Sequence, residues 1–185
     1  MPLIWNIPDS YPERAIGEYD RAHSPDRFLF LGGRPLGDLP PATIRFGVPA
    51  DRLRKFDCLA HSGMIPLVSE RLASVLIRVC LSDLQLFPAV VHASDSELAG
   101  YSLVNVTREV AAVDYSESSF VPIPGTEAVM KFNRLRHISG VFDGIHIARE
   151  QDYHSHLLVS EYLADELLRL GATGLHFKRA EEVHP

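Results

Sequence analysis

Histidine and cysteine are the side chains of this 185-residue sequence that could most readily do chemistry. His154 and His156 are two residues apart, so on a strand both imidazoles would lie on one side, which is the beginning of a zinc site. His146 and Asp143 are close in sequence, but no spacing supplies a convincing third and fourth ligand. We therefore predict surface histidines rather than a bound metal.

Cys58 and His61 are spaced as a possible thiol nucleophile and its base. Such a pair also needs an orienting group and an oxyanion hole, and a free cysteine is more often a small buried hydrophobe. The glycine-rich stretch 32–37 lacks the Lys-Ser/Thr of a phosphate-binding loop, so we predict a turn. Hydrolase, metalloprotease and dinucleotide-binding motifs are missing from the sequence. It therefore predicts neither catalytic residues nor a cofactor.

A duplicated stretch organises the elements that position these side chains. Residues 67–76 (LVSERLASVL) return 91 residues later as 158–167 (LVSEYLADEL), with seven of ten positions identical. Ser69 and Ser160 are good N-caps, and Glu70 and Glu161 place negative charge at the positive end of the helix dipole. Apolar residues then recur at helical spacing. The pattern predicts two similar amphipathic helices, at about 69–81 and 160–170.

Each predicted helix precedes a predicted strand, at 84–91 and 173–179. We interpret the repeats as equivalent elements packed on a shared sheet. The alternative is that V-S-E-x-L is a common capping signal that occurs twice independently. Because short strands dominate the remainder, the sequence predicts an α+β fold with a mostly antiparallel sheet.

Five further segments are predicted strands: 27–31, 43–47, 100–107, 128–133 and 144–148. Met130 and Phe132 are expected to share one face of the fourth, and Ile145 and Ile147 one face of the fifth. The first 27 residues are expected to form an irregular surface arm anchored by Trp5. We expect residues 1–54 to pack on a domain of residues 55–185, giving one compact unit.

Charge and hydropathy exclude several classes of function. The net charge is −6 and the pI about 5.8, which argues against nucleic-acid binding. No apolar run approaches the roughly 20 residues that span a bilayer, and the N-terminus does not resemble a signal peptide. Two cysteines without metal spacing fit free thiols in a reducing compartment. We therefore expect a cytoplasmic protein.

Acidic residues cluster in two predicted turns. One turn contains Asp95 and Glu97, and the other contains Asp114, Tyr115 and Glu117. Negative charge of this kind speeds the encounter with a basic protein, and Tyr115 is a suitable aromatic anchor. These five residues are our predicted partner-binding residues. The alternative is that both segments are ordinary solvated turns.

The order of these segments resembles that of the Imm11 family of bacterial polymorphic toxin systems, also called DUF1629. The resemblance rests on Asp57-Cys-Leu before the first helix, on a strand with Phe87-Pro88, on residues 101–106 (YSLVNV), on Val113-Asp114 and on residues 173–177 (TGLHF). It covers about residues 55–182. It implies an immunity protein that binds and blocks a cognate toxin in the cytoplasm. It implies no catalysis and no cofactor, it supplies no binding residues, and it leaves the oligomeric state open.

Three functional hypotheses follow. The first is a non-enzymatic immunity protein whose partner is a cognate protein toxin, without contact to nucleic acid or membrane. The second is a scaffold or regulatory partner of another cellular protein. The third is a metal-dependent hydrolase that uses His154, His156 and a distant carboxylate.

Overall fold

Short strands and three helices make up the computed structural model, which describes residues 1–126 and 128–183. The helices are α1 (Ala50–Leu53), α2 (Glu70–Cys80) and α3 (Glu161–Arg169). The strands are β1 (Leu3–Asn6), β2 (Glu18–Tyr19), β3 (Ala42–Arg45), β4 (Cys58–Leu59), β5 (Leu67–Ser69), β6 (Leu84–His92), β7 (Glu97–Val106), β8 (Glu109–Val110), β9 (Ser119–Pro122), β10 (Val129–Arg134), β11 (Ile147–Glu150), β12 (Leu157–Val159) and β13 (His176–Lys178). The predicted α+β class is confirmed.

The strands form two large sheets and a two-stranded ribbon. One sheet has the order β2-β3-β6-β7-β5-β4, the other has the order β13-β1-β12-β11-β8, and the ribbon is β9-β10. Most pairs are antiparallel, and the parallel pairs in the described residues are β3–β6 and β8–β11. The predicted antiparallel preference is therefore confirmed.

The two long helices begin where the capping pattern predicts. Ser69 Oγ accepts a hydrogen bond from the amide of Leu72 at 3.3 Å, and Ser160 Oγ accepts one from Leu163 at 3.0 Å. Each bond satisfies an amide that has no partner within the first helical turn. The residue before each serine belongs to a strand, β5 or β12, so each repeat begins one element earlier than the helix.

Both helices pack into one core that also contains a face of each large sheet. This core includes Leu72 and Leu76 of α2, Leu163 of α3, Val104 of β7 and Val159 of β12. The prediction of a shared sheet is therefore wrong, because β6 and β13, the strands that follow α2 and α3, belong to different sheets and the helices share a core instead. Two further cores cover the outer faces of the sheets.

The structure extends the internal similarity beyond the helices. In the first sheet, β7 lies between β5 and β6 and is antiparallel to both. In the second sheet, β1 lies in the same way between β12 and β13. The hairpin β4–β5 corresponds to β11–β12. The second repeat is therefore completed by a strand from the N-terminal segment.

The N-terminal segment differs from its prediction in two places. Residues 3–6 are the inner strand β1 rather than part of an irregular arm, although Trp5 is buried in the core as expected and meets Phe177 edge-on. Residues 27–31 form a 3-10 helix instead of a strand. Asp26 causes the difference, because its side chain accepts a hydrogen bond from the amide of Phe28 and starts a helical turn.

The structure differs from two later strand predictions, in the register of the first and in the starting residue of the second. In β10 the register shifts twice, so Phe132 is buried whereas Met130 is exposed. A bulge inserts an extra residue and breaks the two-residue alternation. Gly144 has φ +73°, which places a turn where the fifth strand was predicted to begin. Ile145 therefore precedes β11 and does not share a strand face with Ile147.

Candidate interaction surface

The turn before β9 carries three of the predicted partner-binding residues together. Asp114 accepts hydrogen bonds from the amide and the hydroxyl of Ser116, at 3.0 and 2.6 Å. The hydroxyl bond is the largest cause that lowers the pKa of Asp114. Asp114 is thus ionised at neutral pH and shapes the turn. The two hydrogen bonds from Ser116 hold the turn that contains Tyr115.

Tyr115 is the exposed aromatic side chain of this turn, with 47% of its surface accessible. Its ring meets Phe120 edge-on, with the centroids 5.6 Å apart. The pKa of Tyr115 is raised to about 12. Burial is the largest cause, and the carboxylate of Asp152 is the second. The ring is therefore held by its neighbours while its outer edge remains open to a partner, as in many protein-binding anchors.

An aromatic row continues from Tyr115 across the outer side of the second sheet. Phe120 contacts Phe132 edge-on, and Phe132 contacts Tyr153 in the same way at 5.6 Å. Asp152 is exposed beside Tyr153. We define the aromatic–acidic face as Tyr115, Glu117, Phe120, Asp152 and Tyr153.

Glu117 adds a second exposed charge to this face. Its carboxylate lies 3.2 Å from the guanidinium of Arg134 on β10, and both side chains are more than half exposed. An ion pair this exposed contributes little stability and can exchange its partner readily. The Glu117 carboxylate is therefore exposed and only weakly held by Arg134.

Asp95 and Glu97 lie elsewhere on the first sheet, Asp95 in the turn between β6 and β7 and Glu97 at the first residue of β7. The carboxylate of Asp95 accepts a hydrogen bond from the amide of Ala50 at 2.9 Å, so it caps α1. Glu97 is exposed, 3.8 Å from the imidazole of His92. The structure therefore places the five predicted residues in two separate groups and gives Asp95 a structural contact. The turn prediction was wrong for Glu97, which pairs with His92 in the sheet.

Replacing Asp95 with alanine is expected to lower the free energy of unfolding by about 1 kcal/mol, because α1 loses its cap. Glu97→Ala is the matched control, since it removes the same charge two residues away and should change stability by less than about 0.5 kcal/mol. Urea denaturation of both variants measures the difference. Equal stabilities would mean that the cap contributes nothing.

The histidine pair does not have the predicted arrangement. Residues 154–156 lie in a turn rather than on a strand, so the imidazoles do not alternate along one face. His154 Nε2 lies 2.7 Å from the carboxylate of Glu109. His156 stacks on Phe132, and burial lowers the pKa of His156 to about 4. Among residues 1–126 and 128–183, no three His, Cys, Asp or Glu side chains are grouped so that they could hold a metal ion.

Cys58 and His61 are both buried and do not act on each other as thiol and base. Burial raises the pKa of the Cys58 thiol to about 12. The His61 ring is held at both nitrogens, by the carbonyl of Ile65 at 2.8 Å and the amide of Gly63 at 3.1 Å. Burial also lowers the pKa of His61 to about 4. At neutral pH the pair is therefore a thiol and a neutral imidazole.

Sequence reasoning missed Phe120, Asp152 and Tyr153 as members of the aromatic–acidic face. The sequence did contain a signal for Asp152 and Tyr153, because the dipeptide Asp152-Tyr153 repeats Asp114-Tyr115, which was already a predicted binding segment. The parallel pairing of β8 with β11 brings the segments that follow these strands side by side.

Comparison with known proteins identifies the chain. The model of the immunity protein family Imm11 matches residues 10–182. This range includes much of the N-terminal segment, which the resemblance in the sequence had left out. A search of curated proteins found no match. No helix within the described part of the chain is long and apolar enough to cross a bilayer. The chain therefore belongs to the Imm11 family of immunity proteins.

Proposed function

We propose that this protein binds a cognate bacterial toxin in the cytoplasm of the producing cell and neutralises it without catalysis. Membership of the Imm11 immunity protein family is the observation that carries this proposal. Neutralisation would follow from a protein interface that occludes or distorts the active site of the toxin. Such an interface typically buries about 1,600 Å² in total.

We propose the aromatic–acidic face as the contact surface. Tyr115 offers a rigid apolar ring with little side-chain entropy to lose, which is typical of residues that dominate binding energy. Glu117 and Asp152 surround the aromatic row with negative charge. A basic toxin surface would be drawn to this face, and its association rate would fall as salt rises.

Co-expression with the toxin encoded beside this gene tests the function. Cells that produce the toxin should survive only when this protein is present, and the two proteins should co-purify. Unchanged killing together with the absence of a complex would reject the proposal. Co-purification with an unrelated cellular protein, with no protection from the toxin, would support a scaffold role instead.

Replacing Tyr115 with alanine is expected to weaken toxin binding at least about tenfold, because the partner loses its aromatic anchor. The matched control is Tyr162→Ala, which removes a similarly exposed tyrosine from α3. Surface plasmon resonance at low and high salt measures both variants. Equal affinities for the two variants would place the interface away from the aromatic–acidic face.

A further inference from the structure

A cavity of about 250 Å³ lies where the corresponding hairpins of the two repeats meet β1. The β4–β5 connection contributes His61, Met64 and Ile65, and the β11–β12 hairpin contributes Arg149 and Ser155. We propose that this cavity binds a small organic monocarboxylate with a compact apolar body, held by Arg149. This site is independent of the aromatic–acidic face and of the proposed toxin binding.

Arg149 is a buried cation without a carboxylate partner in the described part of the chain. Only 2% of its surface is accessible. Its guanidinium donates to two carbonyl oxygens, of His154 at 3.2 Å and of Phe30 at 3.4 Å, and its Nε has no hydrogen-bond partner in the protein. A buried charge that lacks an opposite charge is costly, so a carboxylate at this position would be strongly favoured.

Neither neighbouring carboxylate neutralises Arg149. Glu109, opposite on β8, lies 2.7 Å from His154 Nε2 and forms no ion pair with Arg149. Glu150 follows Arg149 on β11, and successive side chains of a strand point to opposite faces. Glu150 accepts a hydrogen bond from the amide of Ala112 at 3.1 Å, on the side of the outer core. Burial lowers the pKa of Arg149 only to about 10, so its guanidinium is still charged at neutral pH.

The rest of the cavity is uncharged at neutral pH and largely apolar. Its walls include Trp5, Leu59 and Leu157. His61 is neutral there, and its ring nitrogens are already used by Ile65 and Gly63. Arg149 is therefore the one charged group among the residues that line the cavity. One positive charge set against apolar walls matches a monoanion with an apolar body.

The cavity mouth carries exposed apolar side chains on a strained backbone. Met64 has φ +58° and is 71% accessible. Among the described residues it is the one non-glycine residue in the left-handed region. Such strain concentrates at sites that bind ligands. A cavity of about 150 Å³ can hold benzene, so the larger volume here suits a phenyl ring with a short carboxylate arm.

Titration with phenylacetate tests the site on the intact protein. Trp5 is the single tryptophan of the chain and lies on the cavity wall, so its fluorescence and its indole NMR signal report occupancy directly. We expect saturable binding with a dissociation constant on the order of millimolar, as for a fragment of this size. Phenylacetamide, which has the same shape without the charge, should bind at least about tenfold more weakly.

Variants distinguish this site from non-specific binding. Arg149→Gln should abolish the preference for phenylacetate over phenylacetamide. Ser155→Phe should plug the cavity while leaving Arg149 in place, and Ser74→Phe on the exposed face of α2 is its matched control. If Arg149→Gln does not fold, the Ser155 and Ser74 variants still decide the question. Equal binding of the acid and the amide, or no loss with Ser155→Phe, would overturn the proposal.

Discussion

Replacing Gly174 with alanine is expected to lower the free energy of unfolding by about 4 kcal/mol, the largest effect we predict for a single methyl group. Gly174 has φ +81°, a conformation that alanine adopts only with strain. A Cβ at this position would also collide with the carbonyl oxygen of Cys58. Either the turn after α3 or the first strand of the other repeat would have to move.

Gly171→Ala is the matched control. Gly171 lies in the same turn with φ +69°, but a Cβ there would meet no atom within 4 Å. It should therefore cost only the backbone strain, about 1–2 kcal/mol. Thermal unfolding of both variants measures the difference, and about 4 kcal/mol corresponds to a drop in Tm of roughly 10 °C at this chain length. Equal losses would show that the close contact with Cys58 is unimportant.

Replacing Asp57 with alanine is expected to cost about 3 kcal/mol of stability. The Asp57 carboxylate accepts two hydrogen bonds from the guanidinium of Arg71, at 3.0 and 2.6 Å. It also accepts from the hydroxyl of Ser69 and from the amide of Thr173, each at 3.0 Å. One buried group thus joins the start of α2 to the turn after α3. Arg71 is half exposed, which keeps the loss below that of a fully buried pair.

The effect of Asp57→Ala should depend on pH. Burial by itself would raise the pKa of Asp57, but the hydrogen bonds from Arg71, Thr173 and Ser69 outweigh it and lower the pKa below its ordinary value. A lowered folded-state pKa stabilises the protein above the unfolded-state pKa of about 3.9, and this contribution disappears as pH falls through the folded-state pKa. The difference between wild type and variant should therefore be full at pH 7 and shrink towards pH 2.

Urea denaturation at several pH values measures this difference, with Asp165→Ala on the exposed face of α3 as the control. We propose that residues 1–54 and 55–185 unfold together, because β1 pairs with β12 and β13 and β3 pairs with β6. A single transition is therefore expected for every variant. A pH-independent loss for Asp57→Ala would show that packing, and not the ionised carboxylate, is what the substitution removes.

Local signals in the sequence determined the elements that carry the fold. The serine caps, the acidic first turns and the apolar stripes identified α2 and α3, because helix initiation depends on neighbouring residues alone. Apolar patterns likewise predicted β6 at 84–91 and β7 at 100–107, although β7 begins three residues earlier, at Glu97. The family resemblance followed from the order of these elements, and the match to Imm11 confirmed it.

The tertiary structure alone decided which distant segments meet. Nothing local marks residues 3–6 as an inner strand, because their partners in β12 and β13 lie more than 150 residues away. The same holds for the contact of Gly174 with Cys58 and for the cavity between two hairpins that Arg149 lines. Short-range patterns report the conformation of a segment, whereas pairing, burial of charge and cavities arise only when remote side chains exclude water together.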